Sequence, residues 1–375
     1  MTSLKLSDLC NIRYGKDHKE LAGGPYPVYG SGGIMRYVEK PISQGPSVLI
    51  PRKGTLGNLF YTDGPFWTVD TLFWTEIDDK KIIPKYLYYL LKTEDLAGLN
   101  IGTAVPSLST DVLNEIQLSI PEMGTQKKAV ALLDSIESKI NINNQINDYL
   151  TELLLVLQKQ TEDTEYLVES RADTLFNIHI GKTPPRKESE WFSFNRVGNV
   201  IWMSIKDMGN GDTYLIDSSE YLTPEAIEKH NVKKCSPGSI LLSFKLTVGR
   251  VGIAANEMVT NEAIACFSSD DSRKLAYLYP LLKSYDYASL GSTSSIATAV
   301  NSKMIKSMII KMPSSPALDR YYKQAEPIYG FLLDNAKEAV ALTELRDALL
   351  PKLMSGEIDV SKVNITQLNN HLSDR

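Results

Sequence analysis

Two stretches of this chain repeat apolar positions at intervals of three and four. Leu133, Ile136, Ile140, Asn143, Asn147, Leu150, Leu154 and Leu157 form one series. Ala325, Ile328, Leu332, Asn335, Ala339, Leu342, Arg346, Leu349 and Leu353 form the other. Such spacing places one stripe along a helix and predicts two long helices, each burying that stripe. The polar residues within each stripe fix pairing register at some cost in stability. Ser315 as cap, Pro316 at the first helical position and Gly356 as stop bound the second helix. The repeated length predicts that the two helices pair antiparallel, as a spacer. Packing of each on its own globular segment is the alternative.

Outside these stretches the pattern changes to short apolar runs. Ser47 to Ile50 and Ser239 to Ser243 read as buried strands. Each leads through a Gly-containing turn into a second short strand, Asn58 to Tyr61 and Arg250 to Ala254. Phe66 to Thr75, rich in aromatic and β-branched residues, reads as one strand, and Pro84 to Lys92 and Arg273 to Lys283 read as short helices. The expected class is α+β.

The runs also match one another. Lys53-Gly54-Thr55-Leu56-Gly57-Asn58-Leu59 falls on Lys245-Leu246-Thr247-Val248-Gly249-Arg250-Val251 at an offset of 192. Asp70-Thr71-Leu72 falls on Glu262-Ala263-Ile264 and Pro121 on Pro313 at that same offset. Leu9 to Lys16 resembles Leu175 to Lys182 at a smaller offset, so the second copy carries an insertion of about two dozen residues. The chain therefore reads as globular unit, helix, globular unit, helix, with boundaries at 1–121, 122–165, 166–313 and 314–375.

Composition narrows the function. Hydrophobic residues are 43% of the 375, enough for real cores, and no apolar run is long enough to cross a membrane. Met1 to Lys16 lacks the pattern of a signal peptide, so a cytoplasmic location is expected. Cys10, Cys235 and Cys266 are scattered, and His18, His179, His230 and His371 show no ligand spacing, which argues against a disulfide framework or a metal site. There is no phosphate loop, no GxGxxG, no GxSxG elbow and no [DN]PP[YF] motif. The formal charge of −5 is unlike that of a free-standing nucleic-acid binder, but it is unevenly spread. Residues 122–165 hold 4 basic and 8 acidic groups, whereas 166–313 hold 17 and 15. The two globular units are near neutral, so any DNA contact must use local patches.

Taken with the duplication, Tyr26 to Gly33, Pro51 to Asn58, Phe66 to Leu72 and Leu345 to Glu357 make the chain similar to a known family. It resembles the specificity (S) subunit of type I restriction–modification systems over nearly its whole length. One departure is Leu246 at the position of Gly54, which puts identical turn geometry in question. The resemblance implies two target recognition domains separated by two long antiparallel coiled-coil helices, with a pseudo-two-fold internal repeat. It implies a non-catalytic subunit that reads a bipartite, asymmetric site in double-stranded DNA. Two modification subunits would dock on the helices, and restriction/translocase subunits would join them. S-adenosylmethionine, ATP and magnesium are then expected in the partner subunits, and no cofactor or metal in this one. A spacer of about 35 residues, at about 1.5 Å each, would span roughly 50 Å.

Candidate DNA contacts are Lys53, Thr55 and Asn58 on the first turn and Lys245, Thr247 and Arg250 on the second, where exposed N–H groups and short polar side chains suit phosphate. Arg250 has the fork that fits a guanine edge. Arg36, Arg52, Lys182, Arg186 and Lys206 form a second tier, and the base-reading residues are expected in the inserted stretch, Glu188 to His230, and in its counterpart before Ser47. Candidate partner and spacer residues are Leu133, Ile136, Ile140, Leu150, Leu154, Ile328, Leu332, Leu342 and Leu349. The competing reading is an assembly or anti-restriction protein that occupies modification subunits without reading DNA.

Overall fold

The computed structural model describes residues 1–102, 105–209, 211–290 and 300–360, so His371 lies outside the described residues. The chain divides into two compact units: residues 1–139 with 342–375, and residues 140–341. Both unit boundaries fall inside the long helices, not at their ends.

In the first unit, strand Cys10–Tyr14 lies beside Leu72–Ile77, then Ser47–Pro51, then Phe60–Thr62, all antiparallel. A second sheet has Tyr26–Gly30 between Gly33–Val38 and Trp67–Thr68. The continuous strand expected over Phe66 to Thr75 is therefore two. Trp67–Thr68 and Leu72–Ile77 belong to different sheets, and the chain changes sheet at Val69, Asp70 and Thr71, where Leu72 N–H closes a turn on the Val69 carbonyl. Helix Pro84–Lys92 buries Tyr86, Leu87, Tyr89, Leu90 and Leu91. It shares one core with Leu132 and Leu133 of the first long helix and with Leu350, Leu353 and Met354 of the second.

The second unit repeats this frame. Asn177–Ile180, Ile264–Ser268, Ile240–Ser243 and Val251–Ala254 take the same order as their counterparts, and Tyr214–Leu215, from the inserted stretch, adds a fifth strand. The second sheet is again built around a central strand, Val200–Met203, but has five strands. Backbone hydrogen bonds repeat residue for residue. Gly15 and Lys16 donate to the carbonyls of Leu72 and Thr68, while Gly181 and Lys182 donate to those of Ile264 and Thr260. Val69 donates to Tyr29, and Asn261 to Met203. A Cβ at Gly15 or Gly181 would collide with the backbone of residues 68–69 or 260–261, which explains glycine at both places.

The long helices run Met123–Thr164 and Ser315–Ser355, 42 and 41 residues. At about 1.5 Å per residue each is about 60 Å long, longer than the expected 50 Å. The second starts at Ser315 itself, one residue ahead of the expected start, with the Ser314 carbonyl accepting from Leu318 N–H. It ends where Gly356 turns left-handed at φ +79°. Along the expected stripes the side chains are buried or half-buried throughout. Within the second unit the helices pair antiparallel: Asn143 Nδ2 donates to Glu338 (2.8 Å), Asn147 Nδ2 to the Leu332 carbonyl (3.2 Å) and Asn335 Nδ2 to Asn147 Oδ1 (3.0 Å). These bonds satisfy the polar seam and make a shifted register costly, because slippage would strand buried amides. Among the described residues, no helix is long and apolar enough to cross a membrane.

Candidate nucleic-acid interface

In the first unit the turn 53–58 is tied to neighbouring backbone. Gly54, at φ +90°, donates to the Pro106 carbonyl, and Lys53 bridges Ser107. Asn58 Nδ2 donates to the Ser31 carbonyl (3.0 Å), fastening the turn to the tip of the hairpin formed by Tyr26–Gly30 and Gly33–Val38. That hairpin exposes Ile34, Met35 and Tyr37. Arg36 donates to the Leu21 carbonyl (2.8 Å), and Arg52 donates to the Asp70 carbonyl (3.3 Å) with its guanidinium over the Tyr14 ring. Lys53 and Thr55 are exposed.

The second turn is held by Ser243. Its hydroxyl donates to the Thr247 carbonyl (2.6 Å) and accepts from Arg250 N–H (3.0 Å), and Gly249 N–H reaches the Ser243 carbonyl. Lys245 and Thr247 are exposed. Leu246 adopts φ +61°, so the turn keeps the left-handed residue that Gly54 supplies in the first unit, despite the substitution. Its side chain is 99% exposed. A non-glycine residue in this region costs about 1–2 kcal/mol, and Leu246 recovers none of it by packing.

The side chains separate the candidates. Arg250 Nη1 donates to the Ile205 carbonyl (2.6 Å), making it a strut under the loop Ser204 to Gly209. Asp207 braces that loop by accepting from Ser204 N–H and Ser219 N–H. Burial works to raise the Asp207 carboxyl, but the Ser204 and Ser219 hydrogen bonds outweigh it and hold the pKa below its ordinary value. Lys182 Nζ donates to the His230 carbonyl (2.6 Å) at the C-terminus of helix Pro224–His230, where a cation meets the negative helix end. Arg186 grips Glu220 with two hydrogen bonds (2.7 and 3.0 Å) and stacks on Phe192 and Trp202. So Arg36, Arg52, Asn58, Lys182, Arg186 and Arg250 all hold protein groups. Among the described residues, no such tie appears for the Lys53 and Lys206 ammonium groups, and Lys245 makes no ion pair. Lys245 lies over the Phe244 ring and helps lower the pKa of Glu262. That carboxyl is raised by burial but lowered further by the Thr183 hydroxyl, its own N–H, Lys245 and Arg186.

The sequence does not single out three further groups residue by residue. Phe194 and Val197, in the inserted stretch, are 86% and 83% exposed. Leu246 read only as a departure from glycine. On the first long helix, Ile142, Ile146, Tyr149, Leu153 and Val156 are exposed at steps of four and three, a second apolar stripe beside the buried one. Its spacing is legible once the first stripe is assigned to the interior.

The family model for the type I restriction modification DNA specificity domain matches residues 1–152 and again 167–326. The chain belongs to this family. Members are the DNA-recognition, non-catalytic component of type I systems. Among its relatives is the type I restriction enzyme MjaIX specificity subunit of Methanocaldococcus jannaschii, 23% identical, with 92% of this chain and 86% of that protein covered. The HindI specificity subunit of Haemophilus influenzae is 22% identical, at 85% and 88% coverage. The crystal structure of the S subunit from M. genitalium superposes with a TM-score of 0.54 at 17% identity, covering 94% of this chain and 95% of that one. This likeness supports the specificity-subunit fold.

Proposed function

We propose that this chain reads a bipartite, asymmetric target in double-stranded DNA, one half per unit, and docks two adenine-modification subunits with restriction/translocase subunits. The observation that carries the reading is one hydrogen-bond frame presented twice with different exposed side chains. A shared frame can meet the duplex in the same pose in both halves, while different side chains read different bases. On this reading Lys53, Thr55, Lys206, Lys245 and Thr247 meet phosphate. The protein-bound cations, Arg186 and Arg250 above all, hold the reading surface in place. In the second unit, Phe194, Val197 and Leu246 are exposed apolar groups available for thymine methyls or a base step. S-adenosylmethionine, ATP and magnesium belong to the partner subunits.

The exposed stripe Ile142, Ile146, Tyr149, Leu153 and Val156 supports helix docking by a modification subunit, since coiled-coil spacing on a wet face suits a partner helix. Tyr149→Asp with Val156→Asp is expected to abolish co-purification of the modification subunit while the isolated chain keeps its melting temperature. Retained co-purification would remove this surface from the reading.

The test of the whole reading is methylation mapping after co-expression with the modification subunit. One split motif, with a methylated adenine in each half and a fixed gap, is expected. A normally assembled complex that leaves DNA unmethylated and fails to bind duplex would favour the assembly or anti-restriction reading instead.

A further inference from the structure

Scattered in sequence, His179, Cys235 and Cys266 meet in the second unit, with their ligand atoms all within 4.8 Å of one another. His179 and Cys266 face each other across the ladder between Asn177–Ile180 and Ile264–Ser268. Cys235 comes from Lys234–Cys235, an edge strand of the other five-stranded sheet. His179 Nε2 and Cys235 Sγ are 3.6 Å apart. With zinc–sulfur and zinc–nitrogen bonds of about 2.3 and 2.05 Å, a tetrahedral site has an N–S edge of about 3.5 Å. Both thiols are buried, at 1% and 0% exposure, in a core with Met203, Leu241, Met258 and Ile264. The expectation against a metal site rested on ligand spacing along the chain, which the fold bypasses by drawing ligands from three separate strands.

We propose that His179, Cys235 and Cys266 bind one zinc ion, or another soft divalent metal of that class, which staples the two sheets of the second unit together. Ser239 and Thr260 hydroxyls lie against Cys266 and Cys235 and provide the outer groups that orient such ligands. Thr260 Oγ1 is fully buried, with the Cys235 thiol as its neighbour and no oxygen or nitrogen partner among the described residues. A water in the fourth coordination position would supply its partner. The first unit is the internal control. Arg13, Ser43 and Trp74 occupy the matching positions, since Arg13 pairs with Trp74, and Ser43 with Phe66, as His179 pairs with Cys266 and Cys235 with Met258. The matching threonine, Thr68, is satisfied by the Tyr29 carbonyl (3.3 Å). Where the ligand set is absent, the matching hydroxyl has a carbonyl partner.

The metal would be taken up by two thiolates and a neutral imidazole, releasing about two protons per ion. The full chain, in complex with its modification subunit, is stripped of metal under reducing conditions and titrated with Co²⁺, then with Zn²⁺. Expected are thiolate-to-cobalt charge-transfer and tetrahedral d–d bands saturating at one Co²⁺ per chain, their loss when Zn²⁺ is added, and release of about two protons. Cys235→Ser and His179→Gln are expected to remove or weaken the bands at least tenfold, and Cys10→Ala to leave them intact. His179 is only half-buried, so its variant keeps the test open if a cysteine variant misfolds. Absence of thiolate bands in reduced, folded protein would overturn the proposal. So would bands that persist in Cys235→Ser, or a Cys235–Cys266 disulfide as the only product of the pair.

Discussion

Gly15 and Gly181 make the same backbone hydrogen bond, and so do Lys16 and Lys182, yet of the two lysine side chains only that of Lys182 makes a hydrogen bond among the described residues. Lys182 reaches the end of a helix in the inserted stretch of the second unit, while among the described residues of the first unit no helix lies between Gly33–Val38 and Ser47–Pro51. Arg250 likewise props an inserted loop, whereas its counterpart Asn58 ties down a hairpin tip. The comparison separates two jobs. Backbone contacts and close-packed glycines hold the frame, and they repeat. Cations near the candidate interface mostly brace local loops, and they do not repeat. Counting basic residues therefore overstates how many charges face DNA.

The largest effect should come from exchanging residues 1–121 for the matching unit of a relative. Because each unit carries its own sheets and core, one half of the methylated motif should change completely and the other not at all. Methylation mapping reads this directly, and a change in both halves would break the modular comparison. Next in size is Arg186→Ala. It removes a half-exposed ion pair and two ring contacts, each worth about 0.5–1 kcal/mol. A loss of about 1.5–3 kcal/mol should lower the melting temperature of the second unit by several degrees. The salt dependence of DNA binding should stay unchanged, since Arg186 is spent on protein. Lys53→Ala, Lys206→Ala and Lys245→Ala should do the reverse. Each should leave melting alone and lower the slope of log affinity against log salt by about 0.9. If Arg186→Ala moves the slope and the lysines do not, the division between bracing and contacting cations is wrong.

Much of this frame was legible in the chain. The stepping of Leu133 to Leu157 and Ala325 to Leu353 identified both helices and their buried faces, because a helix seam is a local periodicity. The turn at Gly54 and its copy at Leu246 were visible as a repeat. Other features were not, each for a physical reason. Phe66 to Thr75 looked like one strand because its residues favour strand throughout, and only tertiary pairing splits it between sheets. Arg186 looked like a DNA contact because its partner, Glu220, is distant in sequence. The His179, Cys235 and Cys266 cluster was hidden because sheet pairing, not spacing, assembles it.

The smallest effect is the most pointed, because it concerns the one place where the two turns differ in backbone chemistry. Gly54 and Leu246 both adopt positive φ, +90° and +61°. A Cβ at Gly54 would meet nothing within 4 Å, so crowding does not explain the glycine there. Leu246→Gly should relieve about 1 kcal/mol of backbone strain and return about 0.5–1 kcal/mol of it through the greater freedom of glycine in the unfolded chain. The net change in denaturant unfolding should lie within about 1 kcal/mol of zero. Gly54→Leu adds about 1–2 kcal/mol of strain, offset by about 0.5–1 kcal/mol from the lost freedom of glycine in the unfolded chain, and should destabilise by up to about 1.5 kcal/mol. A loss well above 1 kcal/mol in Leu246→Gly would mean that the side chain packs somewhere, against its 99% exposure. Unchanged stability with DNA binding weakened several-fold would mean that strain is tolerated at Leu246 because its side chain touches the duplex.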